Sequence, residues 1–249
     1  MRGRAIGLSV WVWVWASLGG LALADEAKQV VMERLGQDLK KIDLEIRKLK
    51  AQVQVQQGQV GMPDSLFALA EKLADKADKE GMLAAEQGGS KYYDAPNVVS
   101  AREAAVAALG RILTEFPGYP KPAEALLLRA QQNRHLGRYD DFARDLQTLL
   151  VKHPKSRKVE DALILLGDYY FDRTDLVSAK KVYQQLENYP QSPLLGYARY
   201  KLAWVAVNGK DFARAAELFV KVAQAPVVKG DGGKAARNLR LNALKDLAF

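Results

Sequence analysis

From Met32 to Val53 the apolar positions run Met32, Leu35, Leu39, Ile42, Ile46, Leu49, Val53, at alternating spacings of three and four. That is the a/d seam of an amphipathic helix over about three and a half heptads, and it predicts a coiled-coil-like helix with its closing turn over residues 25–60. So narrow a stripe cannot bury itself. It pairs either with a second copy of the chain, making residues 25–57 an oligomerisation seam, or with a partner, unless the helix folds back onto the repeats. Across a parallel interface Glu45 and Lys50 would attract, whereas Asp38 and Asp43 would repel. Gly58, Gly61 and Pro63 end this element. Leu66, Leu69, Ala70, Leu73 and Ala77 then fall at helical spacing from Asp64 to about Glu86, and Gly88-Gly89-Ser90 closes the stretch. Ser100 and Glu103 have the spacing of a capping box that would open a helix running to Phe116. Residues 64–117 are therefore expected to form a divergent helical hairpin with a lengthened loop.

Downstream the pattern repeats itself. An Ala is followed eleven residues later by Pro three times, as Ala143/Pro154, Ala179/Pro190 and Ala215/Pro226. The same alignment lays Gly167 over Ala130 and Ala203, Leu166 over Arg129 and Leu202, Tyr183 over Phe219, and Leu186 over Leu150 and Val222. Small residues at fixed points allow two helix backbones to approach, and Pro ends each unit because it has no N–H to continue the ladder. A period of this length predicts an all-α solenoid of helical hairpins. Three repeats fit residues 121–226, and residues 234–249 read as the first helix of a further, incomplete one.

Leu163, Leu166, Gly167, Tyr170, Ala179, Tyr183, Leu186 and Pro190 follow the order of the tetratricopeptide repeat, and the chain resembles that family over about its second half. The first copy departs most, with Arg129, Ala130 and Asn133 where Leu, Gly and Tyr are expected. The repeats are about two residues longer than the usual ~34. The phrases Tyr200-Lys-Leu-Ala-Trp204, Asn208-Gly-Lys-Asp-Phe212 and Ala243-Leu-Lys-Asp-Leu-Ala-Phe249 resemble those of periplasmic tetratricopeptide proteins of the deltaproteobacterial envelope, including ones attached to gliding-motility machinery. The family resemblance implies a right-handed solenoid and a protein-binding groove lined by first-helix positions. Those positions are Glu124, Leu127, Gln131, Arg134 and His135, then Asp161, Ile164, Asp168, Phe171 and Asp172, then Tyr197, Tyr200, Trp204, Val207 and Asn208. Tyr197, Tyr200 and Trp204 share one helical face. They are either an aromatic anchor for a peptide or residues packed by the following helix, Lys234 to Phe249.

The N-terminus changes the setting. Arg2 and Arg4 precede an uncharged apolar run from Ile6 to Leu23, and Ala22-Leu-Ala24 stands before Asp25, which is the layout of a secretory signal peptide over residues 1–24 cleaved after Ala24. An uncleaved anchor is the alternative, since Ala5 to Ala24 is long enough to span a bilayer. Export to a Gram-negative periplasm is the expectation. The sequence contains no Cys, so a lipid-modified N-terminal Cys, disulfides and thiolate metal sites are excluded. Loss of Arg2 and Arg4, with no acid before Asp25, takes the formal charge from +8 to +6. The basic residues are dispersed. Lys40, Lys41, Arg47, Lys48 and Lys50 alternate with Asp38, Asp43 and Glu45, as on a solvated helix face, and give no nucleic-acid footprint.

Little in the chain suggests chemistry. His135 and His153 lie far apart without carboxylates in register, there is no His pair at i, i+4, and Asp140-Asp141 and Glu160-Asp161 stand where helix N-termini favour negative charge. Gly230-Asp-Gly-Gly-Lys234 has Val228 and Ala235 where a phosphate loop needs Gly and Ser or Thr. No catalytic residue, metal, cofactor, nucleic acid or small-molecule substrate is expected. What the pattern supports is a non-catalytic scaffold for protein partners in the cell envelope, serving motility or envelope maintenance. The alternative is an accessory protein recognising cell-wall polymer or an anionic surface through its dispersed Lys and Arg.

Overall fold

The computed structural model describes residues 9–88, 94–225 and 232–248, with side chains from Asp25 onward and, in the last segment, from Lys234. Among them every regular element is a helix, as the all-α expectation requires: α1 (Ser9–Val55), α2 (Met62–Glu86), α3 (Pro96–Glu115), α4 (Pro122–His135), α5 (Tyr139–Lys152), α6 (Val159–Asp172), α7 (Leu176–Gln184), α8 (Leu195–Asn208), α9 (Phe212–Gln224) and α10 (Gly232–Asp246). The side chains of the leader Met1 to Ala24, most of the Gly230–Lys234 loop, Pro226 and Phe249 lie outside the described residues. The chain forms two units, residues 1–117 and 118–249.

In the first unit, α1 turns back at Gln56–Gly61, where Gly58 takes the left-handed φ of 75°, and runs along α2. Ile42, Ile46 and Val53 of the seam are 5, 6 and 5 % exposed, while Met32, Leu35, Leu39 and Leu49 are half-buried. The partner that the stripe demanded is α2 of the same chain, at least over Ile42 to Val53. The charges explain the choice. Asp38, Asp43 and Glu45, which gave no coherent code for two parallel copies, meet Lys79 (3.7 Å), Lys76 (2.5 Å) and Lys72 (2.6 Å) of α2 in antiparallel order. Each pair contributes only about 0.2–1 kcal/mol, but together they set direction and register.

α2 packs equally closely on α3, where Ala77 forms one buried cluster with Val98 and Ala101. Alanine at these points lets the two backbones approach. Arg102, 5 % exposed, donates to Asp78 at 2.7 Å across the pair. α3 begins at Pro96, four residues before the expected capping box, so Ser100 and Glu103 lie inside it. Pro at the first helical turn lacks only an N–H that has no helical partner there, and its fixed φ favours an early start.

The second unit stacks the hairpins α4–α5, α6–α7 and α8–α9, then α10 on α9. Each hairpin turns through one left-handed residue at the same place: Gly137 (φ 71°), Thr174 (φ 59°) and Lys210 (φ 61°). The amide after it closes a six-residue loop, from Arg138 to the Asn133 carbonyl (2.8 Å), Asp175 to Tyr170 (2.9 Å) and Asp211 to Ala206 (2.9 Å). This is the Schellman geometry at a helix end. Asp175 and Asp211 then cap the second helices, accepting from the amides of Ser178 and Arg214, both at 3.1 Å.

The turns correct the sequence alignment by one residue. α4 and α6 start and end 37 residues apart, as do the starts of α5 and α7, whereas α6 and α8 are offset by 36. Leu149, fully buried, is therefore the counterpart of Leu186, not the half-buried Leu150, and Phe142 rather than Ala143 stands where Ala179 and Ala215 do. The slack is taken up at the end of the second helix. α7 finishes in a 3₁₀ turn, Gln185–Asn188, which rises ~2.0 Å per residue against ~1.5 Å in an α-helix and so covers the same length with fewer residues.

Hairpin interiors are filled in two ways. In α6–α7 the ring of Tyr183, fully buried, lies where a Cβ on Gly167 would come within 2.4 Å of its Cε1. In α4–α5 the residues that departed from the family pattern form a polar triad. Arg129 donates through Nε (2.9 Å) and a second nitrogen to Asp145, and Asn133 adds a longer bond at 3.4 Å. Asp145 is 4 % and Asn133 3 % exposed.

Candidate partner-binding surface

The first helices α4, α6 and α8 carry the residues expected to line a groove, and the structure divides them into three groups. Leu127 leaves the surface. It is 6 % exposed and belongs to the core. Gln131, Asp168, Phe171, Tyr197, Tyr200 and Trp204 are half-buried, while Arg134, Asp172 and Asn208 are exposed.

Asp168 is the hub between the second and third hairpins. Its carboxylate accepts from the Tyr183 hydroxyl at 2.6 Å and from the Tyr197 hydroxyl at 3.1 and 3.2 Å. The Lys201 ammonium lies 3.2 Å away, and the same ammonium sits 4.1 Å from the centre of the Phe171 ring and 5.8 Å from that of Tyr197. Burial, then the nearby Asp168 carboxylate, pushes both phenols above their ordinary range. Each hydroxyl is thereby held in its protonated, donating form. Asp168, Phe171 and Tyr197 are thus brought together, but largely to one another. Lys201 was not among the expected groove residues. Its only sequence signal is a Lys one helical turn after Tyr197 on the same helix.

On the third hairpin Tyr200 and Trp204 meet edge to face at 6.5 Å, and both rings pack against Phe219 of α9, at 5.7 and 5.9 Å. The Tyr200 hydroxyl donates to Asp246 of α10 at 2.8 Å. Burial raises the phenol most, against an opposing contribution from Trp204, and the Asp246 carboxylate adds to the rise. The following helix therefore covers Tyr200. Trp204 keeps a half-exposed edge, and Asn208, whose amide donates to the Trp204 carbonyl at 2.8 Å, stays at the surface beside it.

Arg134 and Asp172 border an opening between the first and second hairpins. At the opposite end of the first hairpin Lys152, His153, Lys155 and Arg157 surround a shallow basic depression with Glu124 on its edge. His135 is exposed and far from His153 in the fold, at the other end of α4 from that depression. Among the described residues no group of three or more His, Asp or Glu converges as a metal site. Among them too, no helix is long and apolar enough to cross a membrane.

The tetratricopeptide-repeat family model matches residues 161–192, which is the second hairpin. Among solved structures, the crystal structure of MamA aligns at 20 % identity over 63 % of this chain and 90 % of that one, with a TM-score of 0.43. The crystal structure of BtubC from P. vanneervenii aligns at 13 % identity over 84 % of this chain and 91 % of that one, with a TM-score of 0.44. No curated protein matches the sequence.

Proposed function

We propose, on the premise of a tetratricopeptide repeat over residues 161–192, that the chain is a non-catalytic scaffold that binds a protein partner along the first helices of its hairpins. The observation that carries this is the common register of α4–α5, α6–α7 and α8–α9. It sets Gln131 against Trp204, and Asp172 against Asn208, at corresponding points of different repeats, with Arg134 one helical turn beyond Gln131. Aromatic edges beside polar groups suit peptide recognition, with affinity from the ring and register from the polar atoms. The apolar leader supports export, and the resemblance of residues 200–204, 208–212 and 243–249 to phrases of envelope proteins supports a place in a periplasmic machine for motility or envelope maintenance.

The test is capture from envelope extract with the chain that starts at Asp25. The expected outcome is a partner retained at physiological salt by the unchanged protein and lost by Trp204→Ala and Asn208→Ala, with helical content by circular dichroism unchanged. Capture that collapses with modest salt and ignores both substitutions would favour the anionic-surface reading, in which the dispersed basic residues bind.

A further inference from the structure

The opening between the first two hairpins is a cavity of about 290 Å³ formed by the end of α4, the start of α5 and the end of α6. That is near the lower end of the ~300–1,000 Å³ range of small-ligand pockets, room for one or two side chains rather than a folded surface. Its walls are apolar. Phe142 and Tyr169 meet edge to face at 5.7 Å, and Leu165 stands beside them. Two cations lie over these walls. The Arg134 guanidinium is 5.9 Å from the Phe142 ring centre, and that of Arg173 is 4.7 Å from Tyr169 and 5.5 Å from Tyr139.

Neither guanidinium forms an ion pair among the described residues. Elsewhere in the same unit Arg129 meets Asp145, Arg144 meets Asp141, Arg199 meets Glu187 and Arg214 meets Glu217. The repeat supplies its own control. One hairpin further on, in the register of the helix ends, Phe171 replaces Arg134, Ala179 replaces Phe142, Lys201 replaces Leu165 and Gly209 replaces Arg173. There Lys201 lies on Phe171 and pairs with Asp168. Stacking one hairpin on the next therefore does not require two arginines at this place. A guanidinium resting on a ring face is held in position while its N–H edges remain free to donate, so it meets a carboxylate at little further entropic cost.

We infer that this pocket receives a single carboxylate side chain together with an adjoining apolar or aromatic one, presented by an acidic segment of a protein partner. The inference rests on the scaffold reading and names the partner's chemistry at one point of the surface. Asp172, exposed at the rim, decides between anions. It repels a polyanion that brings several charges at once, but it can accept backbone N–H groups of a peptide whose one acid lies deeper, between the arginines.

The experiment uses the chain that begins at Asp25 and two fluorescent heptapeptides identical except for Glu or Gln beside a central Phe, followed by polarisation. The Glu peptide is expected to bind. Its affinity should fall roughly tenfold or more with Arg134→Gln plus Arg173→Gln, and by a similar factor when its Glu becomes Gln. Arg214→Gln, on the exposed face of α9, should leave binding unchanged. Equal binding of the two peptides overturns the proposal without relying on any protein variant, and so does full binding by the double variant. Inorganic polyphosphate binding through the same two arginines more tightly than the Glu peptide overturns the choice of a peptide. If the double variant still captures the envelope partner while Trp204→Ala does not, the scaffold reading stands and this pocket is not part of it.

Discussion

The two junctions between hairpins in the second unit use corresponding positions for different ends. Between α6–α7 and α8–α9 the charged and aromatic groups are spent on one another: Lys201 lies on Phe171 and pairs with Asp168, which also holds two tyrosine hydroxyls. Between α4–α5 and α6–α7 the arginines lie on rings, their N–H edges meet no carboxylate among the described residues, and a cavity remains. A repeat array has the same set of surface positions at every junction. A position that ties neighbours together is no longer free for a partner, and the reverse also holds. The register, not the residue type, makes the two junctions comparable.

The sharpest way to break that contrast is to delete the hub at each. Asp168→Ala leaves Lys201 and two hydroxyls facing a half-buried gap and should cost about 3 kcal/mol, whereas Asp172→Ala at the open rim should stay within about 0.5 kcal/mol. Urea unfolding of both variants measures the difference.

The hairpin interiors carry a parallel prediction. Asp145→Ala strands Arg129 and Asn133 and should also cost about 3 kcal/mol, while replacing the triad together, as Arg129→Leu, Asn133→Tyr and Asp145→Val, should be nearly neutral. A triple variant as unstable as the single one would show that the first hairpin cannot adopt the packing of the second. Gly167→Ala, whose Cβ would meet the Tyr183 ring, should cost about 2 kcal/mol by overpacking. The same calorimetric scan with Ala203→Gly on α8, where Phe219 stands in the register of Tyr183 and an alanine is already accommodated, should lose only about 1 kcal/mol, from helix propensity.

Smaller effects sharpen the turns. Thr174 is β-branched at φ 59° where the first hairpin has Gly137, so Thr174→Gly should stabilise by up to about 1 kcal/mol. Asp175 is held below the usual carboxylate range by hydrogen bonds from Ser178. A depressed carboxylate stabilises the folded state above its unfolded pKa, about 4, and that contribution disappears as pH falls through the lower folded value. Protection of the amides at the start of α7, relative to their intrinsic exchange at the same pH, should therefore fall below about pH 4, a loss that Asp175→Asn should largely remove.

Much of this second unit was legible because its signals are local. Small residues, prolines and turn phrases recur at one spacing, and each encodes an event within a few residues of itself. What stayed hidden lies between elements. Arg129 and Asn133 looked like decay of a pattern because their common partner, Asp145, is on the next helix. The α1 seam specified that a helix must cover it but not which one. The answer lay in Lys72, Lys76 and Lys79, on the next helix from the acids they match. The groove suffered in the same way, since Leu127 and Tyr200 occupy surface positions of the repeat yet are claimed by the core and by Asp246.

The claim that one junction is closed and the other kept for a partner is tested most directly by two double-mutant cycles on the unbound chain. One joins Asp168→Asn with Lys201→Met, the other Asp172→Asn with Arg173→Met, both read by chemical unfolding. The account predicts a coupling of about 1–3 kcal/mol in the first cycle and none beyond about 0.3 kcal/mol in the second. A coupling at Asp172 and Arg173 as large as at Asp168 and Lys201 would contradict it, because the arginine would then be holding the hairpins together.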